Sequence, residues 1–100
     1  MLFTIIGHDV KNSLERRRAA RPGHLARLAA LEQEARLELA GPFLLESDQS
    51  DAPGFSGSLI IADFPSMGAA RAWADADPYV NAGVYAKVDI YPFKKVLPAK

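Results

Sequence analysis

One hundred residues, 49% hydrophobic and 24% charged with 7 Gly and 7 Pro, make one ordinary globular domain with room for a single core, residues 1–100. Twelve basic residues balance twelve acidic ones, which removes the broad positive field that nucleic acid or an anionic membrane would need. Cysteine is absent, so disulfides and thiol nucleophiles are excluded; "MLFTIIGHDV" is too short and too poor in basic residues for a signal peptide or a membrane span, and the cytoplasm is the expected location.

In chain order, the β-branched and aromatic run "LFTIIGH" (2–8) predicts a first strand. Asn12 or Ser13 then offers an N-cap for a long helical region, with a break or kink expected at Pro22 and a second helix starting there. "LELAGPFLL" (37–45) predicts a strand, with Gly41 and Pro42 marking a bend or a sheet edge. A polar loop over 46–54 leads to a third strand over 55–64, and Ser66 caps a helix over "MGAARAWADA". Within that helix Met67, Ala70, Trp73 and Ala74 share one face. "PYVNA" adds one turn stopped by Gly83, and a fourth strand over 84–93 alternates Val84, Ala86, Val88 and Ile90 against Tyr85, Lys87, Asp89 and Tyr91. The tail "KKVLPAK" reads as a solvated end with a strand extension.

The order β-α-β-β-α-β predicts an α+β, ferredoxin-like sandwich, with both helices on one face of a four-stranded antiparallel sheet. Apolar residues on both sides of strands three and four leave the other face short of cover. A homodimer packed sheet to sheet would supply it.

Two histidines are available for chemistry. At 100° per residue, Leu28, Leu31 and Ala35 fall within about 40° of His24, so His24 faces inward. A core role is one reading. The other places it in the first turn of a helix after Pro22, where the dipole and burial would lower its pKa and make it a neutral base. Such a base needs an orienting carboxylate. The topology brings the end of the second helix to the same sheet end, which makes Asp77 the candidate, able to cap the Pro78 turn with one oxygen and accept from the imidazole with the other. Tyr79 is near enough to line a pocket. Ser58 and Ser56 lack a nucleophile elbow and read first as structural, although Ser58 can face a cleft. The run "ERRRAAR" reads as a solvated face from which Arg16, Arg17 or Arg21 could meet an anionic substrate. His8 beside Asp9 lacks a third ligand, so neither a metal nor a cofactor is expected.

The segments "SLERRRAARPGHLARL", "AGP", "GFSGS" and "AWADADPYVNAGVY" with "PFKKV" resemble the YciI, or YCII-related, family over nearly the whole chain. The resemblance implies a dimeric α+β barrel and an active site of one histidine and one aspartate, matching His24 and Asp77. It also implies a chemistry: the best-understood relatives are dehydrochlorinases of hydroxylated aromatics. The resulting expectation is a cofactor-free enzyme moving protons on a small hydroxylated cyclic or aromatic compound, by elimination, dehydrochlorination or isomerisation. Tyr79, Ser58 and Arg21 would touch the substrate. The alternatives are a binding or stress-associated dimer using the same cavity without chemistry, and a purely structural dimerisation module.

Overall fold

Leu2–Asp9 forms β1, whose residues alternate between a buried and a half-buried side, as a central strand with one covered face must. The computed structural model describes residues 1–45 and 54–99, so the expected loop over 46–54 lies, but for Gly54, outside the described residues. The remaining elements are α1 (Leu14–Gln33), β2 (Leu37–Leu44), β3 (Phe55–Asp63), α2 (Met67–Asp75), α3 (Pro78–Asn81) and β4 (Tyr85–Phe93). The sheet is antiparallel in the order β2-β3-β1-β4, the ferredoxin-like arrangement expected from the element order. Pro42 therefore sits on an edge strand, where its missing N–H costs no ladder bond on the open side. No strand follows Phe93, and the tail is exposed apart from an ion pair of Lys95 with Glu38 at 3.2 Å.

Both helices lie on one face of the sheet, α1 against β2 and α2 against β1 and β4. Ile5, Ile60 and Ile90 stand opposite one another across three strands and form the centre of the core with Leu28, Leu31 and Ala70. In α2, Ala70 and Ala74 are buried, Trp73 is half-buried, and Met67 is exposed at the start of the helix. Ser66 caps α2 by accepting from the backbone N–H of Ala69 at 3.1 Å.

Three sequence expectations fail, each for a local reason. Pro22 does not break the helix: α1 runs unbroken for 20 residues. Pro22 lies on its solvent side, where water can meet the Arg18 carbonyl that the missing N–H leaves free. Second, Ala35 is outside the helical stripe. It adopts φ +58° just past the end of α1, where its N–H bonds to the Glu32 carbonyl and that of Arg36 to the Leu31 carbonyl, a Schellman closure made with alanine. Third, Tyr85 does not share a face with Tyr91. The β1–β4 register shifts between His8 and Asp9, so that Lys87 pairs with His8 while Tyr85 pairs with Asp9. The bulge turns Tyr85 inward. Its ring lies over Gly7, where a Cβ would come within 2.5 Å of it, so only glycine leaves that space.

Candidate functional site

The site grows from α1. Arg17 and His24 are seven residues apart, two helical turns, so both side chains leave the same stripe as Leu28 and Leu31. All four are buried. Because α1 is continuous, His24 is its eleventh residue, roughly 15 Å from the start at 1.5 Å per residue. His24 therefore lies well beyond the first turn, the reach of the helix dipole.

Asp77 reaches His24 by another route than a meeting of loops at the sheet edge. After α2 ends, the chain turns at Asp77 and Pro78, and α3 packs against α1. Gly23 permits the approach: a Cβ there would be 3.1 Å from Pro78 Cγ. Asp77 caps α3, its Oδ1 accepting from the Tyr79 N–H at 2.8 Å. Both its oxygens lie within hydrogen-bond distance of His24 Nδ1, at 3.0 and 2.9 Å. The ring of Tyr79 stacks on the imidazole at 3.9 Å between centroids and 11° between planes. Arg27, one turn further along α1, donates to the Trp73 carbonyl at 2.8 Å and lies over the Trp73 ring at 4.3 Å. Its Nη1 sits 3.9 Å from Asp77, placing a positive charge beside that carboxylate.

A second cluster surrounds Arg17. Its guanidinium donates to both oxygens of Asp9, at 2.6 and 3.0 Å, and its Nη2 also reaches the Gly57 carbonyl and Ser58 Oγ, each at 2.8 Å. Ser13 does not cap α1; its hydroxyl donates instead to Asp9 at 2.6 Å. The Arg17 and Asp9 side chains are 6% and 1% exposed, so this is a buried pair held by two hydrogen bonds rather than a surface contact. Burial works against the Arg17 charge, but the Asp9 carboxylate outweighs it and holds the group above its ordinary pKa. Arg17 also lies 5.0 Å from the Tyr79 ring centre and 5.1 Å from that of Phe55.

Tyr85 packs behind Tyr79, edge-on to it at 5.7 Å and 89°. Its hydroxyl is buried without a hydrogen-bond partner among the described residues. Burial pushes its pKa well above the ordinary phenol range, against the pull of the neighbouring Ser58 hydroxyl and the Arg17 charge. The phenol of Tyr79 is raised for the same reason, with Arg17 and Arg21 pulling the other way.

Arg17, His24, Ser58, Phe55 and Tyr79 wall a cleft of about 520 Å³ between α1 and the β2–β3 side of the sheet. Its lining includes His24, Tyr79, Ser58 and Arg21, four of the five residues singled out from the sequence for the site. The fifth, Asp77, is absent from the wall and stands behind the imidazole. Arg17, one of three arginines of the basic run that the sequence offers to an anionic substrate, is built into the wall. Arg16 is outside it, donating to the Gly83 carbonyl at 3.1 Å on the surface. Asp9 and Tyr85 were not foreseen as parts of the site. The one available signal for Arg17 was its seven-residue spacing from His24. His8 and Asp9 are consecutive and point to opposite faces: Asp9 goes to Arg17, and His8 Nε2 meets Asp89 at 2.9 Å on the open side. No group of three or more His, Asp or Glu side chains gathers at a point among the described residues.

Comparison with known proteins decides the family. The model of the YCII-related domain matches residues 1–94. The chain belongs to the YCII-related family. It is 55% identical over 97 residues to protein YciI of Escherichia coli O6:H1 strain CFT073, covering 96% of this chain and 99% of that protein. It is 48% identical over 97 residues, with the same coverage, to an uncharacterised protein of Haemophilus influenzae. Among solved structures it is similar to 5-chloro-2-hydroxyhydroquinone dehydrochlorinase from Burkholderia phenoliruptrix AC1100, in complex with 2,5-dihydroxybenzoquinone. That match has a TM-score of 0.82 and 30% identity and covers 94% of each chain. No helix among the described residues is long and apolar enough to cross a membrane.

Proposed function

We propose that this YCII-related protein is a cofactor-free enzyme that moves protons on a small hydroxylated cyclic or aromatic compound, with His24 as the general acid-base and Asp77 as the group that orients it. The observation that carries the reading is the 2.9 Å contact between His24 Nδ1 and Asp77 behind a cleft of about 520 Å³. With Nδ1 engaged, Nε2 is the nitrogen left to exchange a proton with a molecule in the cleft; it has no hydrogen-bond partner among the described residues. Asp77 fixes the tautomer and stabilises the imidazolium that forms during transfer. Tyr79, stacked on the ring, keeps it from rotating.

Elimination is the best match to this equipment. In a chlorinated hydroxyhydroquinone, a hydroxyl gives up its proton as the chlorinated ring carbon takes one, forming a keto tautomer. A second hydroxyl proton then leaves as the C–Cl bond breaks and chloride departs. The net loss is HCl with no outside oxidant, so one base able to accept and return protons is enough. The dehydrochlorinase activity of the similar protein from Burkholderia phenoliruptrix supports this substrate class. We also infer a homodimer formed through the open sheet face, supported by half-exposed Leu39, Phe43, Tyr91 and Phe93.

The test is chloride release and loss of quinol absorbance with 5-chloro-2-hydroxyhydroquinone, comparing the wild type with His24→Ala. The expected result is turnover by the wild type and a loss of about 100-fold or more in a folded variant. Equal rates would remove His24 from the chemistry.

A further inference from the structure

We propose that the cleft selects a ring compound carrying an oxyanion, with Arg17 Nη1 as the fixed hydrogen-bond donor and Arg21 as the uncompensated positive charge. This deepens the reading of the cleft as the ligand site by naming the charge of the ligand. Three observations carry it. First, the wall contains Arg17, Arg18, Arg21 and His24 and, among the described residues, no carboxylate. Second, the two acids associated with it are withdrawn: the side chains of Asp9 and Asp77 are 1% and 3% exposed, each behind its own basic partner. The basic member of each pair thus stands between its carboxylate and the cleft, and a ligand meets Arg17 and the His24 ring before either anion.

The third observation concerns Arg17 itself. Nε and Nη2 are committed to Asp9, Gly57 and Ser58, which lock the guanidinium in place. Nη1 is the one nitrogen of this guanidinium that those four bonds leave out, and Arg17 lines the cleft beside the Tyr79 phenol. A donor immobilised by other contacts loses little freedom when it binds, which favours a charge-assisted hydrogen bond to a planar oxyanion. Asp9 offsets the Arg17 charge, so long-range attraction must come from elsewhere. Arg18 is paired with Glu15 at 3.4 Å. Arg21 has no ion pair among the described residues, and its charge is felt at the Tyr79 phenol.

The oxyanion can be an arene carboxylate or an ionised ring enol. Calorimetric binding of two matched pairs separates these: 2,5-dihydroxybenzoate against 2,5-dihydroxybenzamide, and 2-hydroxy-1,4-naphthoquinone against its neutral methyl ether. In at least one pair the anion should bind about tenfold or more tightly than its neutral partner, and the pair that does so identifies the source of the charge. Arg21→Gln should weaken the anion several-fold and leave the neutral compound unchanged. Arg17→Lys should weaken the anion more; if that chain does not fold, Arg21→Gln carries the test alone. Equal affinity within both pairs, or an unchanged preference in Arg21→Gln, overturns the proposal. Turnover of 5-chloro-2-hydroxyhydroquinone by the wild type, measured beside its binding preference, keeps the two readings apart. A wild type that prefers anions yet never turns over would sink the catalytic reading and leave this one standing.

Discussion

The two faces of the sheet use the same strands and treat polar groups in opposite ways. On the helix-covered face every buried charge has a partner within hydrogen-bond reach: Arg17 with Asp9, His24 with Asp77. On the open face, the His8–Asp89 pair is 44% and 34% exposed, and half-exposed Phe43, Tyr91 and Phe93 share that face. The difference follows from water. Where helices exclude it, an unpaired charge is too costly to keep, so Arg17 and His24 each face a carboxylate. Where the sheet is bare, ion pairs are screened and apolar side chains are left for another surface to cover.

The largest expected effect breaks this contrast at two adjacent residues. Asp9→Ala leaves the Arg17 guanidinium buried without its counter-charge and should cost about 3 kcal/mol or more in urea denaturation. His8→Ala, one residue away on the other face, should shift the midpoint far less. Similar losses for both would show that the faces do not differ as described. Next in size is the assembly. Tyr91→Glu puts a charge in the middle of the bare face and should convert a dimer to a monomer in sedimentation velocity while the circular dichroism stays the same. A wild type that sediments as a monomer would leave the apolar face without the partner inferred for it.

The smallest effect at neutral pH concerns Tyr85, the one residue the bulge moves between faces. Its buried hydroxyl has no partner among the described residues, so Tyr85→Phe should change stability by less than about 1 kcal/mol at pH 7. Alkaline pH should separate the two chains. The folded-state pKa is raised above the ordinary value of 10.0, so below that pH the phenol is neutral whether folded or unfolded, and its contribution is intact. As pH rises past 10.0, the unfolded chain ionises first and stability falls, up to the folded pKa. Denaturation midpoints of Tyr85→Phe should decline less over that range, and parallel declines would contradict the burial of Tyr85.

Much of this fold is legible in the sequence because turn and cap residues punctuate it: Ser66 starts α2, Asp77 and Pro78 start α3, and the apolar stripe of α1 turns His24 inward. What the sequence hides are compensations. Nothing local says that the defect at Pro22 faces solvent, and so a continuous helix reads as two. The bulge at Ala86 carries no glycine or proline, so simple alternation puts Tyr85 on the wrong face. Arg17 lies in a run of basic residues, most of them exposed. Only the strand-to-helix pairing with Asp9 makes it a buried part of the cleft, and that contact belongs to the tertiary structure.

The central claim is that Asp77 holds the His24 imidazole by Nδ1 and leaves Nε2 to the cleft. Nitrogen-15 NMR of the histidine side chains tests it directly. The neutral His24 ring should carry its proton on Nδ1 in the wild type, and Asp77→Ala should lose that preference while the chain remains folded. A wild-type ring protonated on Nε2, or a tautomer unmoved by the loss of Asp77, would contradict the account.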